Sequence, residues 1–229
     1  DNAQSTRNRY IGYLKSIMEF GVEQGYYDVN PLRRWKPGKE QRRKSSLTLG
    51  DLRKIQEVAA PHLRWAIEVA WNIPVRPGQD LYGLRFDQHV RFDKGGIDVV
   101  HSKVKRSIFL RCSESFMHEL WERQHYHKSG YLIEYCGNPV KRMDKSFSNA
   151  AERAGLKYGV IMYDIRHLWI TTALDQGNEF SVVARICGTS VEMLYQYYYE
   201  PHADDQAKMM ENMPNLGEKR ERNPITLSI

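Results

Sequence analysis

The stretch Ile186–His202 reads I-C-G-T-S-V-E-M-L-Y-Q-Y-Y-Y-E-P-H. It closes on a tyrosine cluster, Tyr195, Tyr197, Tyr198 and Tyr199. Tyrosine has an apolar body and a polar tip, so such a cluster is ordinarily a packed helix edge or an interface. The sharper reading makes one phenol a nucleophile. A phenol titrates near ~10 and attacks poorly at neutral pH, so it needs help from neighbouring groups.

Three upstream positions can supply that help. Arg76 stands at a Pro-punctuated corner, Ile73-Pro74-Val75-Arg76-Pro77-Gly78. Lys103 lies in His101-Ser102-Lys103-Val104-Lys105-Arg106, and Arg166 in Tyr163-Asp164-Ile165-Arg166-His167-Leu168. Taken singly, each has an ordinary explanation. An arginine at a helix start makes a surface ion pair worth little. A lysine on a strand discourages edge pairing. An Arg-His pair within an amphipathic helix packs and meets solvent.

The bulk numbers narrow the class. With 229 residues and 41% hydrophobic content, the chain holds one full domain plus part of another. No long apolar run suits a membrane span, and Asp1–Tyr10 lacks the apolar core of a signal peptide. Cys112, Cys136 and Cys187 are scattered, which reads as reduced structural thiols in a cytoplasmic protein. The net charge is +6, a moderate excess that suits a polyanionic partner. Arg33, Arg34, Lys36, Lys39, Arg42, Arg43 and Lys44 are opposed only by Glu40. Such a run is commonly a solvated linker; between two structured segments it is also suited to track a phosphate backbone. His125-Tyr126-His127 is the one close histidine pair, but residues two apart do not share a helix face, so no metal site is expected. No phosphate-binding G-x-x-x-x-G-K-[ST] loop is present, and no cofactor is expected.

Hydrophobic periodicity predicts a helix over 6–24, stopped by Gly25. A helix of that length cannot bury its own face, and the chain starts without Met, so a fragment of a longer protein is expected. A basic linker follows to Ser46. Thr48, with Asp51 three residues on, predicts a capped helix, and 61–72 a more apolar one ended by Pro74. A short helix from Arg76 to Leu84 comes next. Between Phe86 and Cys112, Val90, Phe92, Ile97, Val99, Ile108 and Leu110 alternate with polar residues, with a turn at Asp93–Gly96, which predicts three antiparallel strands. Helices are then expected over 113–128, 143–154, 163–175, 179–187 and 190–199. The fold class is α+β, mainly α: a helical domain with one small three-stranded antiparallel sheet. The expected organisation is 1–31 as the end of a helical domain, 32–46 as linker, 47–214 as the main domain and 215–229 as a tail.

Together and in this order, these residues resemble the tyrosine recombinase (phage integrase) family over nearly the whole chain. Arg76-Pro77-Gly78-Gln79 with Leu81 and Leu84-Arg85 is similar to the family's first arginine box. Ser102-Lys103 and Arg106–Leu110 resemble the hairpin that carries its lysine. Tyr163-x-x-Arg166-His167 resembles the box usually written H-x-x-R-H. Gly188-Thr189-Ser190 resembles the glycine box, and ten residues on from Gly188 is Tyr198. Residues Asn8–Tyr10 and Gly25–Pro31 resemble the end of the core-binding domain. The family pattern is departed from at three places: Gln79 stands for the arginine-box acid, Tyr163 for the first histidine and Thr189 for the later histidine or tryptophan. Neither Tyr163 nor Thr189 supplies an imidazole, although both hydroxyls hydrogen-bond.

The resemblance implies site-specific DNA recombination. Arg76 and Arg166 would neutralise the phosphate oxygens, since each guanidinium is permanently charged and binds two oxygens at once. Tyr198 would attack phosphorus to give a 3′-phosphotyrosine, and Lys103 would protonate the leaving 5′-oxygen. Lys105 is the rival acid, because one residue of hairpin register exchanges the two. Tyr197 and Tyr199 are rival nucleophiles. Tyr163 and Thr189 complete the expected catalytic set. The basic run and Lys105 are expected to contact DNA largely without reading its sequence. The implied partner is double-stranded DNA, bound as a homo-tetramer, with a monomer off DNA and no membrane association. Two further readings stay open: a catalytically weakened relative serving as a DNA-binding or regulatory factor, and relaxation of supercoils without strand exchange. The apolar end Ile225–Ile229 suits strand addition to a neighbouring protomer.

Overall fold

In the computed structural model, residues 3–40, 45–198 and 210–211 are described. The elements in chain order are α1 (Gln4–Glu23), α2 (Leu49–Val58), α3 (Pro61–Asn72), α4 (Gln79–Tyr82), α5 (Phe86–His89), β1 (Val90–Arg91), β2 (Gly96–His101) and β3 (Arg106–Arg111). They continue with α6 (Glu114–Gln124), β4 (Glu134–Tyr135), β5 (Asn138–Pro139), α7 (Asp144–Arg153), α8 (Met162–Asp175), α9 (Phe180–Cys187) and α10 (Val191–Tyr198). The chain divides into two compact units, 1–46 and 47–229.

In the first unit, α1 is the main element. Asn8, buried despite its amide, donates to the Gly38 carbonyl and to Glu40, and accepts from the Gly38 N–H. Lys15 Nζ donates to the carbonyls of Arg33 and Trp35. The stretch from Arg33 to Glu40 is therefore tied back along α1, so the stretch expected to be linker is held this far. Tyr10, Tyr13, Leu14, Ile17 and Phe20 are each more than half exposed. Arg33, Arg34, Lys36 and Lys39 are exposed as well, while Arg42, Arg43 and Lys44 lie outside the described residues.

The second unit is a helical domain with a three-stranded antiparallel sheet, order β1-β2-β3. Its start is fixed chemically. Thr48 Oγ1 accepts from the Asp51 N–H, and Asp51 returns a bond to the Thr48 N–H, so the capping box predicted from sequence forms. The apolar faces of α2, α3 and α7 meet in one core with the sheet, where Ile55, Ile67, Ile97, Val99, Phe147 and Ile165 are fully buried. Trp65 keeps its indole N–H satisfied in that core by donating to the Leu132 carbonyl at 2.6 Å. A second cluster joins α8, α9 and α10 through Ile170, Val183, Cys187 and Leu194.

Differences from the sequence expectations are local. The small hairpin β4–β5 and the four-residue α5 were not anticipated, because elements this short leave little periodicity to count. Lys103 is not on a strand. The register pairs His101 with Arg106 and leaves Ser102–Lys105 as the turn, so strand register does not choose between Lys103 and Lys105. His127 Nδ1 contacts the Tyr131 carbonyl at 2.9 Å and His125 packs edge-on to Trp121, so the histidine pair is spent on local structure. Among the described residues no helix is long and apolar enough to cross a membrane. The tail 215–229 lies outside the described residues.

Candidate active site

Arg76 follows the end of α3, where Ile73, Pro74 and Val75 are buried and hold the chain against the core. Its Nη2 donates to the Gly188 carbonyl at 2.6 Å, and its Nη1 is buried without a hydrogen-bond partner among the described residues. Arg166, on α8, is 3% exposed, and its Nη1 donates to the Pro74 carbonyl at 2.9 Å. Burying a guanidinium this deeply is costly unless it is hydrogen-bonded and meets an anion. Both arginines are thus fixed by backbone carbonyls.

Gly188 is where the chain must be glycine. It ends α9 in the left-handed conformation, φ 62° and ψ 47°. Its Thr189 neighbour donates back to the Ala184 carbonyl. A Cβ there would collide with the ring of His101, which is pressed against it at the end of β2. The glycine box therefore does three things: it ends a helix, admits the His101 ring and aims a carbonyl at Arg76.

His101 is fully buried, with the Ile186 backbone as the one polar group close enough to its ring to oppose the effect of burial by hydrogen bonding among the described residues. Burial pushes its titration below the ordinary imidazole value, so it stays neutral, with Asp80 opposing and Arg166 and Arg76 reinforcing the shift. Asp80 is buried beside it, with Oδ1 accepting from the Ser102 N–H at 3.1 Å. Gln79, read as standing in the place of the arginine-box acid, is exposed; the buried acid is its neighbour Asp80. That bond anchors the turn bearing Lys103.

Ser190 opens α10 by accepting from the Met193 N–H at 3.2 Å. Leu194 is the buried residue of this helix and docks it on the α8–α9 cluster. The three described tyrosines of α10 then separate. Tyr195 stacks on Phe180 with ring centroids 4.3 Å apart, a packing role. Tyr197 is half exposed, and Tyr198 is turned inward. The Tyr198 hydroxyl shares a hydrogen bond with Nδ1 of His167. Burial raises the Tyr198 phenol above its ordinary value, Tyr163 adds to this, and Arg166 opposes it. Tyr199 lies outside the described residues.

These segments converge on a cleft of about 420 Å³. Arg76, Lys103, Tyr163, Arg166, Thr189 and Tyr198 all line it, so every expected catalytic residue is brought to one place. Tyr197, a rival nucleophile in the sequence reading, also lines it, whereas Lys105 does not. His167 lines it too and was not among the expected catalytic residues. Its signal was available: it lies four residues after Tyr163 and so shares that face of α8. The two rings meet at 5.0 Å, edge to face. A larger cleft of about 890 Å³, lined from α2, α3 and α6 by Arg53, Arg64, Glu68, Glu119 and Arg123, contains none of the expected residues. Its mixed charges offset one another, so the smaller, cationic cleft is the better anion site. Among the described residues no group of three or more metal-ligating side chains occurs.

No protein-family model matches the chain, and no curated protein matches it. Solved structures do. A lambda integrase dimer bound to a COC′ core site superposes with a TM-score of 0.72 at 19% identity, covering 86% of this chain and 59% of that one. The chain thus spans about three fifths of that relative's length. The Tn1549 transposon integrase in complex with transposon right-end DNA gives a TM-score of 0.72 at 14% identity, covering 92% of this chain and 79% of the other. The XerH site-specific recombinase bound to its difH substrate gives 0.68 at 14% identity, covering 92% and 66%. The mainly helical domain, with its three-stranded antiparallel sheet, has the fold of the tyrosine recombinase catalytic domain.

Proposed function

We propose that the protein is a site-specific DNA recombinase that cuts and rejoins strands through a covalent phosphotyrosine. The carrying observation is the convergence of the buried Arg166, the half-buried Arg76, one lysine and one inward-turned tyrosine on a single cleft. Phosphodiester attack builds negative charge on the non-bridging oxygens. Arg76 and Arg166, held by the carbonyls of Gly188 and Pro74, supply positive charge already in position. Tyr198 Oη forms the bond to phosphorus and a 3′-phosphotyrosine results. The bond from phosphorus to the 5′-oxygen breaks, and Lys103 gives that oxygen its proton. Lys103 is preferred to Lys105 because it alone of the two lines the cleft. Tyr163 and Thr189 hydrogen-bond the phosphate or its neighbours. A 5′-hydroxyl from another strand reverses the reaction, with the bond energy held in the phosphotyrosine, so neither nucleotide nor metal is required. Arg33, Arg34, Lys36, Lys39, Arg42, Arg43, Lys44 and Lys105 contact the DNA backbone, and a tetramer assembles on DNA. Residues 1–31 correspond to the end of a core-binding domain, 32–46 to the linker and 47–214 to the catalytic domain.

The weakened-relative reading draws on the missing imidazoles at Tyr163 and Thr189 and on the burial that keeps Tyr198 protonated. One experiment separates the two. The protein is incubated with nicked duplexes of randomised sequence, so that the short 5′-hydroxyl strand diffuses away after cleavage, and detergent-stable protein–DNA adducts are isolated. An active recombinase yields adducts whose DNA shares a sequence. Salt-dependent binding with no adduct at any pH would establish the regulatory reading instead. If adducts form, two-site and one-site supercoiled plasmids carrying the recovered sequence distinguish recombination from simple relaxation.

A further inference from the structure

We infer that His167 is the general base that takes the Tyr198 phenol proton, an assignment that rests on the function proposed above. The Tyr198 hydroxyl shares a hydrogen bond with His167 Nδ1, which puts an imidazole nitrogen at the phenol. The remaining cleft lining excludes other acceptors. Arginine and lysine carry no acceptor atom when charged, and the hydroxyls of Thr189, Ser190 and Tyr163 are far too weakly basic near neutral pH. No carboxylate lines the cleft among the described residues. The imidazole is the one group there whose ordinary titration falls near neutrality.

The position offers the site an imidazole in the absence of histidine at 163 and 189. Residues 163 and 167 lie on one face of α8, about one helical turn or ~6 Å apart along the axis. An imidazole absent from the first position is available at the second, with the Tyr163 ring edge-on to it at 5.0 Å. The raised titration of Tyr198 makes such a base necessary, because burial holds the phenol neutral. The charged and titratable groups that line the cleft with the imidazole are Arg166 and Tyr163 from its own helix, Arg76, Lys103, and Tyr197 and Tyr198 from α10.

The step balances as follows. Neutral His167 carries its proton on Nε2 and presents the Nδ1 lone pair. As Tyr198 Oη bonds to phosphorus, its O–H bond breaks and the proton passes to Nδ1. The phosphorus–O5′ bond breaks, and the electron pair left on O5′ takes a proton from Lys103. On rejoining, O5′ attacks phosphorus and returns its proton to Lys103, while imidazolium His167 returns the other proton to departing Tyr198.

The test uses the full chain and the nicked duplexes recovered with the wild-type protein. Adduct formation is followed against pH for wild type, His167→Asn and His167→Phe, with DNA retention measured in parallel as evidence of folding. Asparagine keeps a hydrogen-bonding group but cannot take the proton. Both variants are expected to retain DNA and to form adduct ~100- to 10,000-fold more slowly. The wild-type rate is expected to fall on acidification, as the imidazole takes up a proton, and the variants to lack that limb. A duplex with sulfur in place of the bridging 5′-oxygen leaves without needing an acid. It should restore Lys103→Ala and leave His167→Asn slow. A His167→Asn rate within a few fold of wild type, persistence of the acid limb in that variant, or its rescue by the sulfur duplex would overturn the assignment. No wild-type adduct with any duplex would instead remove the recombinase reading beneath it.

Discussion

The cleft has two unlike halves. On the arginine side, Arg76 and Arg166 grow out of the main core and are fixed by backbone carbonyls of Gly188 and Pro74. On the tyrosine side, Tyr198 ends an eight-residue helix docked through Leu194, and its hydroxyl is held by a side chain, His167. Under the proposed function, the difference suits the tasks. Charge stabilisation works best when the charges are in place and do not reorganise as the reaction proceeds. A nucleophile must instead move onto phosphorus and off again, so a short helix with one buried anchor suits it.

Substitutions test this division. Tyr198→Phe removes the oxygen that forms the covalent bond, and should abolish adduct while leaving DNA retention intact; a gel-resolved adduct surviving in this variant would shift the nucleophile to a neighbouring tyrosine. Arg166→Ala is expected to lower the adduct rate ~100- to 1000-fold. It also leaves the Pro74 carbonyl without its donor, so a loss of about 1–3 kcal/mol in denaturant unfolding should accompany the rate effect. That coupling of rate and stability is the signature of the arginine half, and its absence would break the comparison.

Gly188→Ala is expected to cost about 1–3 kcal/mol of stability, because alanine meets both the left-handed backbone and the His101 ring. The melting temperature reads this directly. Thr48→Ala, outside the cleft, should lose about 1 kcal/mol and leave the adduct rate unchanged. It also carries a pH signature. The Thr48 hydroxyl, then Tyr158, hold Asp51 below its ordinary carboxylate value. A carboxylate lowered in the folded state contributes stability above its unfolded titration, ~3.9, and loses it as pH falls through the lower folded value. The wild type should therefore lose more stability than Thr48→Ala on acidification below pH ~4; parallel curves would contradict the role of the capping box.

The arginine half was the more legible in sequence. Permanent charge and a left-handed turn each demand a particular residue type, so Arg76, Arg166 and Gly188 announce themselves by identity and spacing. The capping box and the three strands were equally plain, since each has a short-range pattern. The tyrosine half was less so, because Tyr195, Tyr197 and Tyr198 are chemically alike and their separation depends on how α10 rotates onto Leu194. His167 was visible as one turn on from Tyr163, yet its contact with Tyr198 joins positions 31 apart. Asp80 and His101 were illegible for the same reason: their burial is created by the meeting of α4 with the end of β2, and neither segment is apolar enough to foretell it.

Under the proposed function, Tyr198 becomes covalently joined to DNA. Digesting the trapped adduct with protease and nuclease and sequencing the modified peptide by mass spectrometry tests it most directly. A nucleotide-bearing peptide modified at Tyr198 is predicted; modification at Tyr197 or Tyr199, or no modified tyrosine, would contradict it.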